Sequence, residues 1–108
     1  MHKQYHSDYY QAKIQLRPRD AELMKFVERQ IEKRKDVWIA KRIFLKTGAD
    51  YYISSNKFAR IIGKKLKKTF KGELKESRKL FSIDRQSSKT LYRVTVCFRL
   101  KEDEDKAE

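Results

Sequence analysis

Seven cations, Lys57, Arg60, Lys64, Lys65, Lys67, Lys68 and Lys71, fall between Asn56 and Lys71 with no acid among them. The same segment carries Phe58, Ile62, Leu66 and Phe70 at every fourth position, the pattern of a helix with one apolar stripe. On a helical wheel every one of these cations except Lys65 gathers in an arc of about 100° opposite that stripe. One face is therefore suited to a core and the other to an anion. Like charges three or four residues apart repel by a few tenths of a kcal/mol per pair, roughly. A phosphate backbone would offset that cost and release counterions as it did so. Residues 19–36 serve as an internal control, since their six cations interleave with five acids. That is the pattern of an ordinary solvated helix face.

Other chemistry finds little to work with. Paired carboxylates in an apolar setting, nucleophile–base sets, phosphate-cradling glycine loops and HExxH pairs are all missing from the sequence. His2 and His6 stand in a polar opening stretch without thiol or carboxylate partners, and are expected to be solvated rather than to bind metal. Cys97 alternates with arginines and is expected to be a plain structural cysteine. The stretch from Ile61 to Leu66 resembles the glycine loop of KH domains, but Leu66 occupies the second glycine position. A continuous helix with Gly63 in a close-packed place is the better reading. The aromatic RNP1 pattern of RRM domains is also missing. These observations imply a non-enzymatic protein without metal or cofactor, one that reads RNA by shape and phosphate rather than by sequence.

The whole chain repeats the local message. Its 108 residues hold 28 Lys and Arg against 15 Asp and Glu, for a net charge of +13. The acids are concentrated at the end: residues 101–108 read KEDEDKAE, and without them the net charge is +16. Such a balance speaks of a polyanionic partner. The length allows one domain, and the lone cysteine cannot form an internal bridge, which suits a reducing interior. No apolar run approaches the roughly 20 residues of a membrane span, so a soluble, cytoplasmic protein with no membrane partner is expected.

The elements that must position these residues are legible from periodicity. Residues 10–17 alternate, with Tyr10, Ala12, Ile14 and Leu16 on one face, and Pro18 ends the strand. Asp20 caps a helix running to about residue 35, with Leu23, Phe26, Val27 and Ile31 at helical spacing. Residues 37–45 and 51–53 read as strands joined by a turn at 47–50. Ser54, Ser55 or Asn56 caps the basic helix, and Gly72 closes it. Residues 73–84 and 89–100 form a hairpin around the loop 85–88. The order β-α-β-β-α-β-β implies an α+β fold, ferredoxin-like with an added strand, in which two helices cover one face of a mostly antiparallel sheet. The domain spans 9–100, between a tail at 1–8 and the acidic tail at 101–108.

The uncovered sheet face brings further cations: Lys13, Arg17, Arg93 and Arg99, with Lys75, Arg78, Lys79 and Arg85 on the hairpin. One tyrosine of each doublet, Tyr9-Tyr10 and Tyr51-Tyr52, faces away from the core. It could stack on a base or simply sit wet at a core edge.

From Asp50 to Leu100 the sequence resembles archaeal members of the nonsense-mediated-decay-three family. The matching phrases are Asp50-Tyr51-Tyr52, Ala59-Arg60, GELKESRKL from Gly72, Ile83-Asp84-Arg85-Gln86 and Tyr92-Arg93-Val94-Thr95-Val96. YQAKIQLRP from Tyr10 is similar but less specific. The resemblance implies a factor on the joining face of the large ribosomal subunit, acting in late maturation or quality control. Its implied partners are ribosomal RNA and possible ribosome-assembly proteins, with a protein-interaction module free of RNA contact as the alternative. Family members open with zinc-binding cysteine pairs that this sequence lacks, so no zinc site is carried over.

Overall fold

The computed structural model describes residues 9–84 and 89–101, with the backbone alone at 81–84, 89 and 90. Both proposed tails beyond these limits, the loop 85–88 with Arg85, and His2 and His6 lie outside the described residues.

Seven elements follow in the expected order: β1 (Ala12–Arg17), α1 (Ala21–Glu32), β2 (Ile39–Leu45), β3 (Gly48–Ile53), α2 (Asn56–Thr69), β4 (Gly72–Asp84) and β5 (Lys89–Leu100). They form one five-stranded sheet in the order β2-β3-β1-β5-β4. Every neighbouring pair is antiparallel except β1 with β5. The added strand thus enters the middle of the sheet. A ferredoxin-like unit would set the strand after α2 beside β1, but here β5 takes that place and pushes β4 to the edge. The sequence accounts for the exchange. β5 buries Val94, Val96 and Phe98, whereas β4 is studded with Glu73, Lys75, Glu76, Arg78 and Lys79, charges that suit an edge.

Both helices pack on one sheet face. Ile14, Leu16, Tyr51, Ile53, Val96 and Phe98 meet Leu23, Val27 and Ile31 of α1 and Phe58, Ile62 and Leu66 of α2 in a single core. Phe26 and Phe70 close the seam between the helices, ring edge to ring face at 5.5 Å. Asp20 caps α1 by accepting from the amides of Glu22 and Leu23. Ser55, of the three candidates, caps α2 by accepting from the Phe58 amide.

Four expectations are corrected. α1 ends at Glu32 rather than near residue 35. The β2–β3 turn is Lys46-Thr47, so Gly48, Ala49 and Asp50 already belong to β3. Gly72 opens β4 without a positive φ, and α2 is closed by an extended Phe70. Gly72 is needed for proximity instead, because a Cβ there would lie 2.4 Å from the Arg99 carbonyl oxygen. Lastly, the chain bends at Gln11, so Tyr10 leaves the core face and sets its ring against Tyr52, 4.8 Å away on the opposite face.

The last two strands outrun the rest of the sheet. β1 meets β5 only along Val94 to Arg99, while β4 and β5 stay paired out to Asp84 and Lys89. This two-stranded arm helps draw the molecule out to 59 × 29 × 24 Å.

Candidate nucleic-acid interface

The geometry of α2 begins at Gly63. A Cβ at this position would stand 2.8 Å from Val96 Cγ1 and 3.1 Å from Leu74 Cδ1, so only glycine lets the helix lie this close to the sheet. With Phe58, Ile62, Gly63 and Leu66 buried, helical geometry turns Lys57, Arg60, Lys64, Lys67 and Lys68 outward, and each is exposed. Lys71, just beyond the helix, is exposed too. Lys65, the residue outside the expected arc, leans across to α1 and donates to the buried Gln30 Oε1 at 3.1 Å. Lys67 donates to the Gly72 carbonyl at 3.2 Å. Arg60 reaches Glu76 of β4 at 3.4 Å, the one carboxylate that α2 engages among the described residues. This is an exposed pair of small worth. The row is therefore a surface of largely uncompensated positive charge, as the wheel predicts.

The remaining candidates divide between the two sides of the sheet. Cross-strand register puts Lys75 opposite Cys97, Lys79 opposite Arg93 and Glu73 opposite Arg99, all on the uncovered face with Lys13 and Arg17. Arg78 pairs in register with Val94 and so lies on the helix side, behind Lys75 and Lys79. Arg17 is held by Asp50 at 2.9 Å, an interaction made possible by Gly48, where a Cβ would strike the guanidinium. Lys13 and Lys41 stand 5.4 and 4.9 Å from the Tyr52 ring centroid, and Arg93 lies 4.0 Å over Tyr10. Tyr51 is the inward member of its doublet and fully buried. Burial, and then the hydrogen bond it donates to Glu28 at 2.7 Å, push its hydroxyl well above the usual tyrosine range.

The two sides communicate around one end of the sheet. There, Lys67 of α2, Arg17 of β1, Arg99 of β5 and Lys101 line an open cleft of about 780 Å³ whose one acid is Glu73. No cluster of His, Cys, Asp and Glu able to hold a metal is present among the described residues.

The model of the NMD3 family's second domain matches residues 9–100. The chain belongs to the NMD3 family. This is a family associated with the large ribosomal subunit. No curated protein gives a match.

Two parts of this NMD3 surface escape the sequence reading. Lys101, assigned to the tail, is instead tied to the fold by its amide, which donates to the Lys71 carbonyl at 2.9 Å. Tyr92, which alternates with Val94 and Val96, is 40% exposed because it lies at the root of the arm, beside the first turn of α2 rather than beneath the helix. The signal for Tyr92 is length: strands of 12 and 13 residues laid beside a strand of 6 must overhang it.

Proposed function

We propose that this domain docks on the RNA of the large ribosomal subunit through the exposed face of α2, contacting phosphates and groove shape rather than base sequence. The observation that carries the reading is the acid-free row Lys57, Arg60, Lys64, Lys67 and Lys68, turned outward by a helix whose other face is used up in the core. A membrane role fits poorly for the same reason, since α2 has no apolar face to spare. The domain acts by binding and not by catalysis, in the cytoplasm, during late maturation or quality control of the subunit.

Co-sedimentation with purified large and small subunits over a salt series tests this. Wild-type protein should pellet with the large subunit and be released as salt rises, with a slope of about −0.7 to −0.9 per phosphate contacted. Replacing Lys64, Lys65, Lys67 and Lys68 by Glu should abolish binding. The control variant Lys25→Glu/Arg29→Glu on α1 should retain it. Salt-resistant binding, or equal binding by the α2 variant, would overturn RNA docking in favour of a protein contact.

A further inference from the structure

We propose that the recess between the start of α2 and the root of the β4–β5 arm holds one unpaired RNA nucleotide, its base stacked on the Arg78–Tyr92 pair and its phosphate drawn to Arg60. The proposal rests on RNA docking by α2 and adds a partner structure to it.

Two adjoining depressions, of about 250 and 260 Å³, share Arg60 and Arg78 as their common wall. In the first, the Arg78 guanidinium lies 5.0 Å over the Tyr92 ring, and the ring remains 40% exposed. Tyr9, 46% exposed, forms another part of the lining, and Leu91 adds an apolar patch. Aromatic rings and guanidinium planes are the surfaces on which splayed-out bases stack. The wall is rigid: Asn56 Nδ2 donates to the Tyr92 carbonyl at 2.8 Å, and Asn56 Oδ1 accepts from the Val94 amide at 3.1 Å. With that amide group committed to the backbone, stacking dominates, and any base is acceptable. The second depression offers Arg60, Arg78 and Ser77, with Glu76 as the opposing charge. The Arg60–Glu76 contact of 3.4 Å is exposed and gives way readily to a phosphate.

Location selects the ligand. Arg60 belongs both to the recess and to the outward row of α2, so a strand whose phosphates follow Lys68, Lys64 and Arg60 arrives at the recess. A fully paired duplex keeps its bases stacked and has none to offer. A bulged or looped nucleotide does.

The experiment compares, by fluorescence anisotropy with the full chain, a fully paired RNA duplex and the same duplex carrying one unpaired nucleotide. Wild type should prefer the bulged RNA by about 5- to 100-fold. Tyr92→Ala should erase the preference and leave duplex affinity intact, whereas Tyr92→Phe should keep it. Arg78→Gln carries the test if Tyr92→Ala fails to fold, and should likewise shrink the preference. Equal wild-type affinity for the two RNAs, or a preference that survives Tyr92→Ala, overturns the nucleotide site while docking by α2 stands. Failure to bind either RNA overturns docking itself, and this site with it.

Discussion

The two helices lie side by side on one sheet face, yet they treat charge in opposite ways. α1 carries Glu22, Glu28 and Glu32 with Lys25 and Arg29 and settles much of this within the fold. Its Glu28 accepts from Tyr51 and pairs with Arg42 at 3.4 Å, and its N-terminus is capped by a carboxylate that suits the positive end of the helix dipole. α2 has six cations and no acid, an uncharged Ser55 cap and Lys57 in its first turn, where a cation opposes the dipole. Both helices present a buried apolar stripe, so packing does not separate them. A helix that only holds the fold together can balance its charges; α2 accepts repulsion that a carboxylate relieves only at Arg60 among the described residues, which points its surplus toward an external anion.

The largest effect tests whether packing is indeed equal. Leu23 and Leu66 are each fully buried, and replacing either by Ala should cost about 2–5 kcal/mol in urea unfolding. A tolerated Leu66→Ala would break the comparison, because it would mean that α2 is held by something other than its stripe.

What could be read from the sequence divides along similar lines. The alternation from Ala12 to Arg17, the Asp20 cap, the stripe of α2 and the close approach at Gly63 are local signals, and each is realised. The basic row on α2 was legible for the same reason, since its placement needs only helical geometry and a buried opposite face. Strand order was not, because Val94, Val96 and Phe98 would alternate identically at an edge or in the centre of the sheet. Which of β4 and β5 takes the inner place follows the heavier charge of β4, a comparison that periodicity does not make. Gly72 was misread because a glycine after a helix serves either a left-handed turn or close approach, and only the fold says which. Tyr10 was misplaced by a one-residue bend, which is enough to exchange the faces of a strand. Arg78 is already a candidate from the sequence, but its partnership with Tyr92 depends on the pairing of β4 with β5, which sets the two side by side next to the first turn of α2.

The next effect probes how α1 is anchored. Tyr51→Phe removes the hydroxyl that Glu28 accepts from, and should cost about 1–3 kcal/mol at neutral pH. The folded protein holds the Tyr51 proton more tightly than the unfolded chain does, so this contribution is intact below the ordinary tyrosine pKa of about 10 and is lost as pH climbs past it toward the folded value. Wild type should therefore lose stability more steeply above about pH 10 than Tyr51→Phe. Parallel profiles would show that Glu28 is held by Arg42 alone.

The smallest effect has the opposite sign. Lys64 faces Arg60 one turn before it and Lys67 and Lys68 one turn after, so Lys64→Glu converts three repulsions into attractions. Low-salt urea unfolding should show a gain of about 0.5–1 kcal/mol, fading as salt screens the exposed charges. The same variant should bind the large subunit more weakly. A substitution that strengthens the fold and weakens binding is what the contrast between the helices requires, since it makes α2 resemble α1. If Lys64→Glu left low-salt stability unchanged, repulsion along α2 would cost nothing, and the case for an external anion would lose its energetic premise.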